Sequence, residues 1–171
     1  MNEDLGSQES LEYQTATSEV LGVISRSPTE LRPVLDTIAR TSQRLCEADR
    51  SSVWRLVDRA FELAAICDHS PAVADYMARA PVPADRTSAA GRCVLEKRTL
   101  HIHDRLNEPG LPPLPQSYAS GARTLLCVPL LREGEPIGVV RLSRDKVAPF
   151  TPRQIALVET FADQALSLIH I

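Results

Sequence analysis

The sequence predicts an α+β domain, α/β in the broad sense. It has a central antiparallel sheet of five to six strands, terminal helices on one face and a helical and loop insert on the other. Three observations carry this. Strand-like runs come in pairs joined by turns too short for a parallel crossover. Helical repeats with an apolar stripe stand at both ends of the chain. A loop-rich stretch of mixed character separates the strand pairs. At 171 residues and 43% hydrophobic, the chain has the size of one domain with a core of its own. Aromatics at 4% make that core mostly aliphatic.

Residues 1–10, MNEDLGSQES, read as a disordered lead. Over 11–26 the spacing predicts a signalling helix with Tyr13, Ala16, Val20, Val23 and Ile24 on one side. Ser27-Pro28-Thr29-Glu30 is a capped helix start, with proline at the first helical position. The helix it opens puts Leu31, Val34, Leu35, Ile38 and Leu45 on one face and is expected to end near Glu47. Ser51–Val57 and Phe61–Cys67 form a hairpin around Asp58-Arg59-Ala60. The insert follows: a short helix near Ala72–Arg79, the extended Pro81-Val82-Pro83, and a helix near Ser88–Lys97. Thr99–His103 reads as a strand, and Asp104–Gln116, with four prolines and one glycine, as a surface loop.

Two strands then flank a turn at Arg132–Glu135, where Gly134 is free to take positive φ. Pro129 and Pro136 ask for an edge, a bulge or an unpaired position. Gly138 is expected to let a helix or insert segment approach the sheet. Thr151-Pro152-Arg153-Gln154 repeats the capping pattern and starts a helix with Ile155, Val158, Phe161, Ala162 and Ala165 on one face. The core domain is thus read as 27–165, with 166–171 an atypical end of the last helix.

Composition narrows the partners. The net charge is −3 with charges interspersed, so no basic stripe is offered to nucleic acid. No apolar run approaches the roughly 20 residues that span a bilayer, so no membrane insertion is expected. The acidic, polar start is unlike a secretory signal. Cys46, Cys67, Cys93 and Cys127 are widely spaced, without a CxxC pair. Reduced thiols in a cytoplasmic protein are therefore expected, not a disulfide framework or a structural zinc site.

The segments SEVLGVISRSPTELRPVLDTIARTSQRLCEADRSSVWRL, AAGRCVLEKRTLHIHD, GARTLLCVPLLREGEPIGVVRLSR and PFTPRQIALVETFADQA together resemble a GAF domain. They are closest to the type found in bacterial sensor histidine kinases and nucleotide cyclases. The likeness runs from about Thr15 to Ala165, in the right order. It implies a PAS-related sensory fold with strand order 2-1-5-4-3. Such domains bind a small molecule between sheet and insert, or simply dimerise, and relay signals through terminal helices to an output domain. No kinase core, cyclase or P-loop is present, so the chain reads as an isolated input module.

Each candidate chemistry is weighed against a plainer reading. Gly91-Arg92-Cys93 falls where the free methionine sulfoxide reductases, a GAF-fold enzyme family, carry a glycine-rich cysteine segment. The second glycine is missing, and so are the cysteines of the following loop. Buried cysteine also behaves as a small hydrophobe. No cysteine is followed directly by His, so no covalent bilin is expected, and a haem is not expected either. The cyclic-nucleotide signature is absent. His101 and His103 share a strand face, but two ligands are too few for a metal. Arg123 and Arg141 would favour an anionic ligand if they face the cavity, unless Glu133, Glu135 or Asp145 pairs with them.

The resulting expectation has no catalytic residue and no metal. Trp54, His69, Cys93, His101, Arg123 and Cys127 are the ligand-binding candidates. The stripe from Tyr13 to Ile24 overhangs the domain and pairs two copies into a homodimer. A thiol-dependent reductase and a ligand-free dimerisation module are the rival readings.

Overall fold

The computed structural model describes residues 11–12, 14–19, 22, 31–79, 82–111 and 121–168. The expected lead at 1–10, the cap at Ser27–Glu30 and the loop at 112–116 lie outside them, as do the side chains of Leu31 and Ala165. Helical backbone runs over 11–12, 14–19 and 22. Then come α1 (Leu31–Leu45), β1 (Arg50–Val57), β2 (Ala60–Cys67), α2 (Pro71–Arg79), the two-residue β3 (Val82–Pro83) and α3 (Ala89–Glu96). β4 (Leu100–Ile102), a 3₁₀ turn at Arg105–Asn107, β5 (Thr124–Arg132), β6 (Glu135–Arg144) and α4 (Pro152–Leu168) complete the order.

The strands form one antiparallel sheet in the order β3-β2-β1-β6-β5-β4. Set aside β3, which extends the edge beside β2, and this is the strand order the resemblance implied. The two hairpins close on left-handed residues. Asp58 has φ 57°, and Glu133 and Gly134 have φ 52° and 80°, which matches the right-handed strand twist.

Both prolines of the second hairpin sit where a ladder has run out. The last β4 pair is Leu100 with Cys127, so Pro129 has no partner on that side. Pro136 lies beyond the last β1 pair, Arg55 with Gly138, and adjoins a bulge opposite Leu130 and Leu131. Gly138 serves a different purpose from the one expected. A Cβ there would come within 2.4 Å of the Trp54 carbonyl oxygen on β1, so it is a neighbouring strand that approaches closely. Gly91 in α3 makes the corresponding room for the insert, since its Cβ would meet the Asp85 carbonyl oxygen at 1.8 Å.

Each sheet face carries its own core. α1 and α4 cover one face, with Val34, Leu35, Ile38, Val158 and Phe161 against Val53, Leu126, Val128, Val140 and Leu142. Ala16, fully buried, joins this core, so the N-terminal helix packs back on the domain there and does not overhang it. The insert covers the other face, where Met77, Ala90, Cys93 and Val94 meet Trp54, Phe61, Leu125, Cys127 and Val139. Alternation along β5 feeds both cores: Leu125 and Cys127 point one way, Leu126, Val128 and Leu130 the other.

The helix ends are held by their own sequence. Ser88 Oγ accepts the Gly91 N–H at 3.0 Å at the start of α3, and Lys97 closes it in the left-handed region with φ 55°. At α4 the Gln154 N–H donates to Thr151 Oγ1 at 3.1 Å, and the Thr151 N–H donates back to Gln154 Oε1 at 2.9 Å. Arg144, the last residue of β6, ties the turn after α1 to the loop before α4. Its guanidinium donates to the carbonyls of Cys46, Glu47, Ala148 and Pro149 and lies 4.2 Å from the centroid of the Phe150 ring.

Candidate functional site

Trp54, Cys93 and Cys127 come together on the insert face. Trp54 is held by its indole N–H, which donates to Ser52 Oγ at 2.9 Å. The Cys93 thiol donates to the Cys127 carbonyl at 3.4 Å, which docks α3 on β5. Burial pushes the Cys127 thiol up to about 11, and Arg141 only partly offsets it. Burial raises the Cys93 thiol further still, with Cys127 and Glu96 adding to the effect. Both sulfurs are therefore protonated packing groups at neutral pH. Cys46, in the opposite core, is pushed up to about 12 by burial. Cys67 is half-buried, and its thiol is raised by burial first and by Asp68 second.

His69 follows β2, and its Nδ1 lies 3.0 Å from the Cys67 carbonyl oxygen. Burial lowers its pKa most; the charges of Arg141 and Arg50 add to this. Arg123 precedes β5 and makes a two-armed bridge to Asp104, with Nε and Nη2 each 2.9 Å from a carboxylate oxygen. The pairing holds the Asp104 carboxyl below its usual range. It anchors the 3₁₀ turn, because the same carboxylate accepts the Leu106 N–H at 3.2 Å.

His101 is placed on the opposite face. Its register partner is Leu126, a residue of the terminal-helix core, and its Nε2 accepts the Phe150 N–H at 3.1 Å. Burial, then His103 and Arg144, lower its pKa, which keeps the ring neutral as that bond requires. The His101 and His103 rings lie 4.6 Å apart. Among the described residues no group of three or more His, Cys, Asp or Glu can hold a metal ion. Of the expected dimer stripe, Tyr13, Val20, Val23 and Ile24 lie outside the described residues, and Ala16 is buried in the chain's own core.

Arg141 was not among the favoured candidates, yet it stands opposite Cys127 and Ser52 on the insert face. The period-two pattern of β6, with Val139 and Arg141 on one face, was the signal for it. A cleft bounded by described residues opens on the other side of β2. It measures about 810 Å³ and is lined by Glu19, Arg40, Gln43, Arg44, Cys67 and Asp68 among others. Asp68, with φ 58°, accepts there from Gln43 Nε2.

The sequence matches the GAF domain family over residues 30–168. The chain belongs to the GAF family. No curated protein sequence matches it. Among solved structures, the GAF domain of a phosphoenolpyruvate-protein phosphotransferase (ptsP) from Coxiella burnetii is similar with a TM-score of 0.79 and 16% identity, over 94% of this chain and 92% of that one. Free methionine-R-sulfoxide reductase from Neisseria meningitidis, in complex with its substrate, is similar with a TM-score of 0.76 and 16% identity, over 95% and 90%. Residues 122 to 287 of a methyl-accepting chemotaxis protein give 0.70 and 18%, over 90% and 94%. At such identities the likeness is one of fold, and that fold carries both signalling domains and an enzyme.

Proposed function

We propose that this GAF domain is a non-catalytic sensory module of the cytoplasm. It binds a small molecule between sheet and insert, and it passes that event through its terminal helices to a fused histidine kinase or cyclase in bacterial signal transduction. One observation carries the reading: β5 is buried on both sides, so neighbouring residues line the insert core and the terminal-helix core in turn. A ligand that shifts Cys127 shifts Leu126 and Val128 under α1 and α4. The mechanism is a population shift between two packings of those helices. Homodimerisation through the terminal helices completes it, and Tyr13, Val20, Val23 and Ile24 are its candidate contacts.

Hydrogen exchange on the full chain, with and without compounds from a metabolite panel that raise its melting temperature, tests this. The expected result is protection on the insert face together with altered exchange in α4. A stabilising ligand that leaves both terminal helices unchanged would falsify the relay. Failure of every metabolite to bind would favour a ligand-free dimerisation module.

The second reading is a thiol-dependent reductase, favoured by the likeness to free methionine sulfoxide reductases and by Cys93 at the insert core. It requires NADPH-coupled turnover of methionine sulfoxide with thioredoxin, lost in Cys93→Ser. The raised thiols support the opposite outcome, no turnover above background.

A further inference from the structure

Two of the arginines flanking the insert face are neutralised. Arg50 pairs with Asp145, and Arg123 with Asp104. Arg141 is placed differently. It lies on β6, which with β1 makes the centre of the sheet, opposite Ser52 on one neighbour and Cys127 on the other. Cys127 belongs to the insert-side core, so Arg141 rises from that same face. The residue is half-buried, and among the described residues no carboxylate forms an ion pair with it. The stretch between Leu111 and Gly121 reads PPLPQSYAS and contains no acidic residue.

The neighbours of Arg141 add positive charge. Arg105 is nearly buried, at 9% exposed, and its guanidinium pKa is lowered by burial and then by Arg141. After burial, which lowers the His69 pKa most, and the Cys67 carbonyl bond, which raises it, the charges of Arg141 and Arg50 disfavour a proton on His69, with Asp68 opposing them more weakly. Ser52, 1% exposed, accepts the Trp54 indole N–H, which leaves its own O–H free to donate. A bound anion would offset the positive charge gathered at this position, and the arginine fork is shaped to hold one.

We propose that Arg141, with the Ser52 hydroxyl beside it, anchors an oxyanion subsite on the insert face that takes the carboxylate or phosphate group of a small ligand. The proposal rests on the ligand-binding reading above and names its chemistry. The planar fork of arginine suits both groups, gripping two oxygens at once. Either group would bring a negative charge to Arg141, with which none of the described carboxylates forms an ion pair.

The test is an amide NMR titration of the full chain with inorganic phosphate and, separately, acetate, each against chloride at matched ionic strength. Saturable shifts at Ser52, Cys127 and Arg141 are expected with at least one oxyanion, and the two arms separate phosphate from carboxylate recognition. In Arg141→Gln the affinity should fall at least tenfold, with Arg141→Lys between. Arg55→Gln, which removes an exposed arginine, should change nothing. Oxyanion shifts no different from chloride, or undiminished in Arg141→Gln, would overturn the subsite.

A stability measurement supplies an independent arm. Without ligand, Arg141→Gln should melt at or above the parent, because it removes repulsion from Arg105. A clearly lower melting temperature would show that Arg141 is neutralised inside the fold, and would also overturn the subsite. Insert-face shifts from uncharged metabolites alone would sink the oxyanion subsite and leave the ligand reading standing. No shift from any metabolite would sink the ligand reading itself.

Discussion

Cys93 and Cys127 show how a residue's surroundings decide its chemistry. Both lie in the insert core with their thiols raised by burial, Cys127 to about 11. Brief iodoacetamide treatment of the native protein at pH 7.5 should therefore spare Cys46, Cys93 and Cys127, and any modification should fall on half-buried Cys67. Peptide mass spectrometry reads this directly, and early labelling of Cys93 would reopen the reductase. Gly91 makes a second residue-scale case. Alanine there drives a methyl into the Asp85 carbonyl and should cost about 1–3 kcal/mol or more, measured by urea denaturation. His101 gives the pH dependence. Its folded pKa lies below the usual 6.5 or so, so the folded state binds fewer protons than the unfolded chain. The stability it contributes is complete above that value and declines as pH falls from there toward the folded pKa; His69 acts in the same sense. His101→Gln, which can still accept from the Phe150 N–H, should flatten the decline between pH 7 and 5 in thermal melts. An unchanged slope would count against the assignment. At this scale little was legible in advance: period-two spacing identifies a strand residue, but the face it takes depends on which neighbour its strand acquires. So His101 was expected on the insert face and stands on the other, while Arg141 was left aside.

The elements were the most legible part, because helix caps and hairpin turns are local chemistry. Thr151 and Gln154 form the reciprocal cap their spacing announced. Thr151→Ala should destabilise the domain by about 1 kcal/mol, seen as a lower urea midpoint with unchanged slope. A result indistinguishable from the parent would mean that α4 is held by its buried face alone. What the elements could not disclose was their mutual approach. Gly138 was read as room for a helix or insert segment, yet the group it admits is the Trp54 carbonyl of the adjoining strand. β3 pairs through only two residues, Ala60 with Pro83 and Phe61 with Val82, too short to leave a periodic signal.

For the molecule as a whole, two cores on a shared sheet make the terminal helices and the insert separate layers joined by β5 and β6. Removing a large side chain from the terminal-helix side should therefore be costly. Phe161→Ala, at a fully buried position, should lose about 3–5 kcal/mol, measured by denaturation with the insert-face tryptophan Trp54 as probe. A loss below 1 kcal/mol would imply that α4 packs loosely. Layering was foreseeable from the order of elements and from the family likeness. Charge pairing was not: Arg123 found Asp104, not the Glu133, Glu135 or Asp145 that its neighbourhood in sequence suggested.

Phe150 is fastened on two sides, by a backbone bond to His101 and by the Arg144 guanidinium over its ring. The fasteners obey different rules. The Arg144 guanidinium acts only as a donor, to the carbonyls behind α1 and before α4 as well as over the ring. His101 gives up its hold as soon as a proton occupies Nε2. Acidification therefore releases only the Phe150 backbone from β4, while the Arg144 contacts and the buried Val158 and Phe161 keep α4 on the sheet.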